Sequence, residues 1–174
     1  LDGRTGSGSE WVHLQFHMAV FELELGLWGA AYARFVEHLL PAAVSGEALT
    51  DAPATAWRLA LSPDSRDVVP WDAVRAAAAR RLAYLNDPYV ELHHVLAFAG
   101  AGDLHSLESW IESRERRARS HADRLVLRFG RAMAAYASGD VAAAATGLAE
   151  VVPYVSEIGG SRAQNELFER IGAG

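Results

Sequence analysis

Apolar positions recur along this chain at helical intervals, in stretches rich in alanine. Residues at i, i+3, i+4 and i+7 predict helices over 10–25, 27–40, 51–61, 70–85, 88–100, 122–138 and 141–157, with a final helix opening after Ser161. Residues 1–9, rich in glycine and serine, read as a lead-in loop, and 110–120 as an arginine-rich helix end and connector. The helix over 10–25 is apolar at almost every angle. At 100° per residue its polar exceptions fall on two opposed lines, His13, His17 and Glu24 on one, Gln15 and Glu22 on the other. A helix with two apolar faces is packed on both sides. Gly26 ends it, and Pro41 stops the helix that returns. Pro70 suits a first helical turn, Asp87-Pro88 reads as an N-cap followed by proline, and Ser161 with Gln164 has capping-box spacing.

Three glycines, Gly26, Gly102 and Gly139, punctuate these helices with gaps of 76 and 37 residues. The first gap is close to twice the second, which places another turn near Pro63 and Asp64. The resulting unit of about 38 residues is slightly longer than the 34 of a tetratricopeptide repeat. In that register Gly26, Trp28, Ala31 and Phe35 correspond to Gly102, Leu104, Leu107 and Ile111, and to Gly139, Val141, Ala144 and Leu148. The expected fold is all-α: one tetratricopeptide-like solenoid domain over 1–174, about four helix pairs plus a final helix. Such arrays are usually binding surfaces.

Composition narrows the chemistry. A chain of 174 residues, 51% hydrophobic, can bury roughly 70% of its unfolded surface, enough for a core without staples. It has no cysteine, hence no disulfide, thiolate ligand or cysteine nucleophile. All 16 basic residues are arginine, so Schiff-base chemistry and a Walker-type phosphate loop are excluded within this segment. A net charge of −6 opposes general nucleic-acid affinity. No apolar run approaches a membrane span. The expectation is a cytoplasmic protein without cofactor, nucleic-acid or membrane partner. Leu1 at the start, with neither a basic nor an apolar leader pattern behind it, suggests a fragment of a longer chain.

His13 and His17 stand four apart, the spacing of two-histidine metal sites. They also read as imidazoles hydrogen-bonded to neighbouring helices. The second reading is preferred, because two imidazoles alone leave most metals under-coordinated. Asp87, Glu91 and His94 form another polar line, with His93 on the opposite side, and His93 precedes Gly102 by nine residues as His17 precedes Gly26. Asp87 is explained as a cap and Glu91 as an acid favoured in a first helical turn. Arg114, Arg116, Arg117 and Arg119 have scattered helical angles and read as a solvated connector. Arg131 could pair with a carboxylate or hold an anion. There is no Ser/His/Asp elbow, glycine-rich phosphate cradle or aromatic platform among basic residues.

His13-Leu14-Gln15-Phe16-His17, the Ala-x-Phe-Glu-x-x-x-Gly run from Ala19, Glu91-Leu92-His93 and Ile158-Gly159-Gly160-Ser161-Arg162-Ala163-Gln164 resemble the tetratricopeptide repeat protein 38 family. The resemblance covers nearly the whole chain and implies the C-terminal half of a longer bacterial member. The family usually has tryptophan where Phe16 stands, aspartate where Glu91 stands, and Arg-Asp where Asn165-Glu166 stands. If the family pattern marks an ion-paired pocket, Asn165 gives this member a different one. The resemblance implies a repeat scaffold and lends no activity.

The function expected is therefore a binding or scaffold module, whose concave helices present His13, Gln15, Glu91 and Arg131 to a peptide, protein or small ligand. The alternative is an enzyme or metal-dependent small-molecule-binding protein. Its pocket would join His13, His17, Glu91 and His93 to a helix start at Ser161 and Gln164, where free N–H groups attract anions. The candidate ligand-binding residues are thus His13, His17, Glu91, His93, Arg131, Ser161 and Gln164, with no metal assigned.

Overall fold

The computed structural model describes residues 8–62, 64–81 and 87–173, with the side chain of Arg66 left aside. Pro63, at the second expected turn, and residues 82–86, at the end of the helix expected over 70–85, lie outside the described residues. The protein is all-α, with no strand among the described residues. Its contacts divide it into two compact units, Leu1–Arg81 and Leu82–Gly174.

The first unit contains α1 (Ser9–Glu24), α2 (Trp28–Arg34), α3 (Leu40–Ser45), α4 (Asp51–Ala60) and α5 (Trp71–Ala79). α1 and α2 form a hairpin, and α4 packs on α1. Phe16, Phe35, Leu39 and Leu59 are fully buried at its centre, with Ala19, Ala31, Ala52 and Ala56 where the helices approach. Pro41 does not stop the returning helix as expected. A π-helical turn over Phe35–Leu39 lies immediately before it, and the chain stays helical through Pro41 to Ser45. The widened turn absorbs the missing N–H and the ring that would collide with the preceding turn of a regular helix.

The second unit contains α6 (Pro88–Gly100), α7 (Leu104–Arg117), α8 (His121–Ala137), α9 (Val141–Val151), a 3-10 segment (Val152–Glu157) and α10 (Arg162–Ala173). α6 packs on both α7 and α8, α8 on α9, and α10 on the 3-10 segment and α9. Leu92, Leu96, Phe98, Leu107, Phe129, Met133, Leu167 and Phe168 are fully buried. Gly130 has its Cα against the six-membered ring of Trp110, and a Cβ built on Gly147 would stand 2.8 Å from that of Ala132. Glycine at these two positions sets how closely α8 meets α7 and α9.

The three turn glycines share one geometry. Gly26, Gly102 and Gly139 have φ of 72°, 66° and 86°. In each turn the glycine N–H donates to the carbonyl three residues back, and the next N–H to the carbonyl five back, as in Leu27 to Glu22, Asp103 to Phe98 and Asp140 to Ala135. This Schellman pattern demands left-handed backbone, which glycine adopts without a Cβ penalty. After Gly102 and Gly139 an aspartate starts the next helix: Asp103 accepts from the Ser106 N–H and Asp140 from that of Ala143, each at 3.0 Å.

Candidate functional site

In the first unit the packing of α4 on α1 brings Asp51 to the histidine line. Asp51 Oδ2 accepts from His13 Nδ1 at 3.0 Å, and His13 Nε2 lies 3.1 Å from His17 Nε2. The carboxylate is buried, its side chain 6% exposed, while that of His13 is 43% exposed. Thr50 Oγ1 donates to the other carboxylate oxygen at 3.3 Å. An ionised carboxylate only accepts, so the His13 Nδ1 proton points at Asp51 and the Nε2 lone pair turns towards His17. The result is a chain of carboxylate, imidazole and imidazole running from the interior to a half-exposed surface. It can hold a cation at its outer end or pass a proton along its length. Among the described residues, no group of three or more His, Asp or Glu side chains has metal-site geometry.

The opposed polar line of α1 is an internal seam. Arg34 of α2 donates from Nε and Nη2 to the two carboxylate oxygens of Glu22 at 2.9 and 2.6 Å, and from Nη1 to Gln15 Oε1. Gln15, expected on an accessible face, is therefore buried.

Between the two polar lines α1 has two apolar arcs, and only one is covered. Val12, Phe16, Ala19, Val20 and Leu23 face the core. Leu14, Met18, Phe21 and Leu25 are 55%, 40%, 61% and 73% exposed. The expectation of a helix packed on both sides thus holds for one face. Its second face is open among the described residues.

In the second unit the candidates are engaged internally. Glu91, expected to face a ligand, is buried. It accepts from Arg114 Nη1 at 2.8 Å and from Trp110 Nε1 at 3.2 Å. Burial pushes its carboxyl above the usual carboxylate range, against the pull of Arg114. Arg114 also donates from Nη2 to Asp123 Oδ1 at 2.5 Å. Asp123 belongs to the capping box that opens α8, where its Oδ2 accepts from the N–H groups of Arg119 and Ser120. Burial raises the Asp123 carboxyl, but these N–H donors and Arg114 outweigh it and bring it down to about 2. Arg114 is thus a buried clamp across α6, α7 and α8 rather than part of a solvated connector. Scattered helical angles in an arginine cluster mean that one member falls on the face of Leu107 and Trp110, and that one is Arg114.

His93 donates from Nδ1 to the Tyr89 carbonyl at 2.9 Å, and its ring packs edge-on against Tyr89 and Phe168. His94 is fully buried, with neither ring nitrogen hydrogen-bonded among the described residues. Burial, and then the neighbouring His93, lower its pKa to about 4. Ser161 and Gln164 form a reciprocal capping box, at 2.9 Å from the Ser161 N–H to Gln164 Oε1 and 3.3 Å from the Gln164 N–H to Ser161 Oγ. Those two N–H groups are committed within the chain, which removes their support for an anion site. Arg131 lines a groove of 360 Å³ with Arg128, Gly147 and Glu150, and pairs with Glu115 at 2.5 Å.

No helix among the described residues is long and apolar enough to cross a membrane. No protein-family model, curated protein or solved structure matches the chain.

Proposed function

We propose that this chain is a tetratricopeptide-like helical-hairpin module, in line with its resemblance to the tetratricopeptide repeat protein 38 family, and that it binds a protein partner through the open apolar face of α1. The observation that carries this reading is the row Leu14, Met18, Phe21 and Leu25, each at least 40% exposed. At 100° per residue the four side chains fall within an arc of about 60°, and the row is roughly 16 Å long. Spacing of i, i+4, i+7 and i+11 is the seam that an amphipathic partner helix fills. Contiguous exposed apolar side chains of this kind mark interaction surfaces. The matching glycine turns support the repeat register. The internal engagement of Glu91, Arg114, Ser161 and Gln164 weighs against the competing reading of an enzyme with a polar pocket.

A photo-reactive residue at Phe21, and another at the exposed Tyr154 as control, test this in cells that produce the protein. The expected result is one discrete adduct from position 21, lost when Leu25→Asp is added and absent from position 154. Helicity by circular dichroism should stay unchanged. Equal labelling at both positions, or an adduct indifferent to Leu25→Asp, would refute the assignment of the face. Turnover of a small molecule by the purified chain would favour the enzyme.

A further inference from the structure

We propose that His13 and His17 form a binding site for one divalent ion of the zinc, nickel and copper class, with Asp51 orienting the first imidazole from behind. Three observations converge. The two histidines are one helical turn apart on α1, so a single rigid element carries both. Their Nε2 atoms stand 3.1 Å apart. Two imidazole nitrogens bound at about 2.0–2.1 Å to a tetrahedral zinc stand roughly 3.3–3.4 Å apart, so the pair is within a few tenths of an ångström of that separation, and taking the ion replaces their mutual hydrogen bond as the rings swing to aim both lone pairs at it.

The third observation is Asp51. A metal-bound histidine characteristically donates its other ring N–H to a carboxylate, which fixes the tautomer and raises ligand basicity. His13 Nδ1 does so to Asp51 Oδ2 at 3.0 Å. Asp51 reaches the far side of the ring from Nε2, so it acts as an outer-shell partner and not as a ligand. Imidazole nitrogen suits late first-row ions; the chain has no cysteine, and among the described residues there is no carboxylate cage to select others. Two protein ligands leave the remaining positions to water or to a small anionic ligand arriving from the solvent side, where the His13 side chain is 43% exposed. Binding displaces whichever proton the two Nε2 atoms share, so affinity falls as the imidazoles protonate.

Calorimetric titration of the tag-free, chelator-treated full chain with zinc chloride, and separately with nickel chloride, tests the site. One ion per chain is expected, with at least a tenfold loss of affinity in both His13→Asn and His17→Asn. Asp51→Asn should bind about 10–100-fold more weakly than wild type. Long-range ¹H–¹⁵N imidazole spectra provide a readout independent of whether the variants fold. On adding zinc to the wild type, the Nε2 resonances of His13 and His17 should shift while the His13 Nδ1 stays protonated. Absence of saturable binding, a His17→Asn affinity equal to wild type, or shifts confined to His38, His105 and His121 would overturn the site. Unchanged affinity in Asp51→Asn would overturn the orienting role.

Discussion

His94 makes the folded chain acid-sensitive in a calculable window. Its ring is fully buried on α6, and burial together with His93 lowers its pKa from 6.5 to about 4. Well above pH 6.5 it is neutral in both the folded and unfolded chain and adds no pH dependence. Below 6.5 the unfolded chain takes up the proton first, so stability falls until the folded pKa is reached. Linkage over that interval gives a loss of about 2 kcal/mol at pH 5 and about 3 kcal/mol at pH 4, relative to pH 8. His94→Leu removes the titration at similar volume and leaves no buried nitrogen without a partner.

Urea unfolding of both proteins, followed by circular dichroism at pH 8, 6 and 5, measures the effect as a difference. Contributions from groups other than His94 are common to both proteins and cancel in the difference. Wild type should lose about 2 kcal/mol more than the variant between pH 8 and 5, and His94→Leu should match or exceed it at pH 8. Parallel losses would refute the argument, because they would mean that His94 is solvated or partnered in the folded chain.

Arg114→Leu leaves the Glu91 carboxylate buried without its cation and should cost about 3–5 kcal/mol in the same assay. Glu91→Leu with Arg114→Leu should recover most of that loss, and equal costs for the single and double variants would refute the clamp. Ser120→Ala removes one half of the capping box on α8 and should cost about 1 kcal/mol, read as a lower urea midpoint at constant slope. Gly130→Ala drives a Cβ into the Trp110 ring and should cost about 1–3 kcal/mol, seen as a fall in melting temperature. An unchanged melting temperature would mean that α7 and α8 do not meet there.

The features legible in the sequence are those that a few neighbouring residues decide. A left-handed turn needs glycine whatever surrounds it, so Gly26, Gly102 and Gly139 mark their turns without reference to the rest of the chain. The Ser161 and Gln164 capping box is local in the same way. Pro41 misleads because its usual effect assumes a regular helix before it, and a π-helical turn stands there instead. Glu91 looks like an accessible acid until Arg114, 23 residues away, supplies the charge that allows its burial. The His13–Asp51 contact spans 38 residues and joins two helices, so the periodicity of α1 points to the histidine line but not to its partner.

The two units use their polar residues differently, and the contrast bears on where function lies. In the second unit, Arg114 ties Glu91 to the α8 capping box in a network that makes one geometry of three helices. Opening it to a ligand would leave a buried charge without its partner, so it resists remodelling. In the first unit, Arg34 satisfies the Gln15 and Glu22 line in the same closed fashion, but the His13 and His17 line on the other side of α1 reaches solvent. The uncovered apolar row begins about 40° further round the helix, at Phe21. The exposed apolar strip beside the imidazole pair adds nothing to the buried core, and aspartate or lysine at those positions would improve solubility. The outward half of α1 is therefore where the proposed binding function rests.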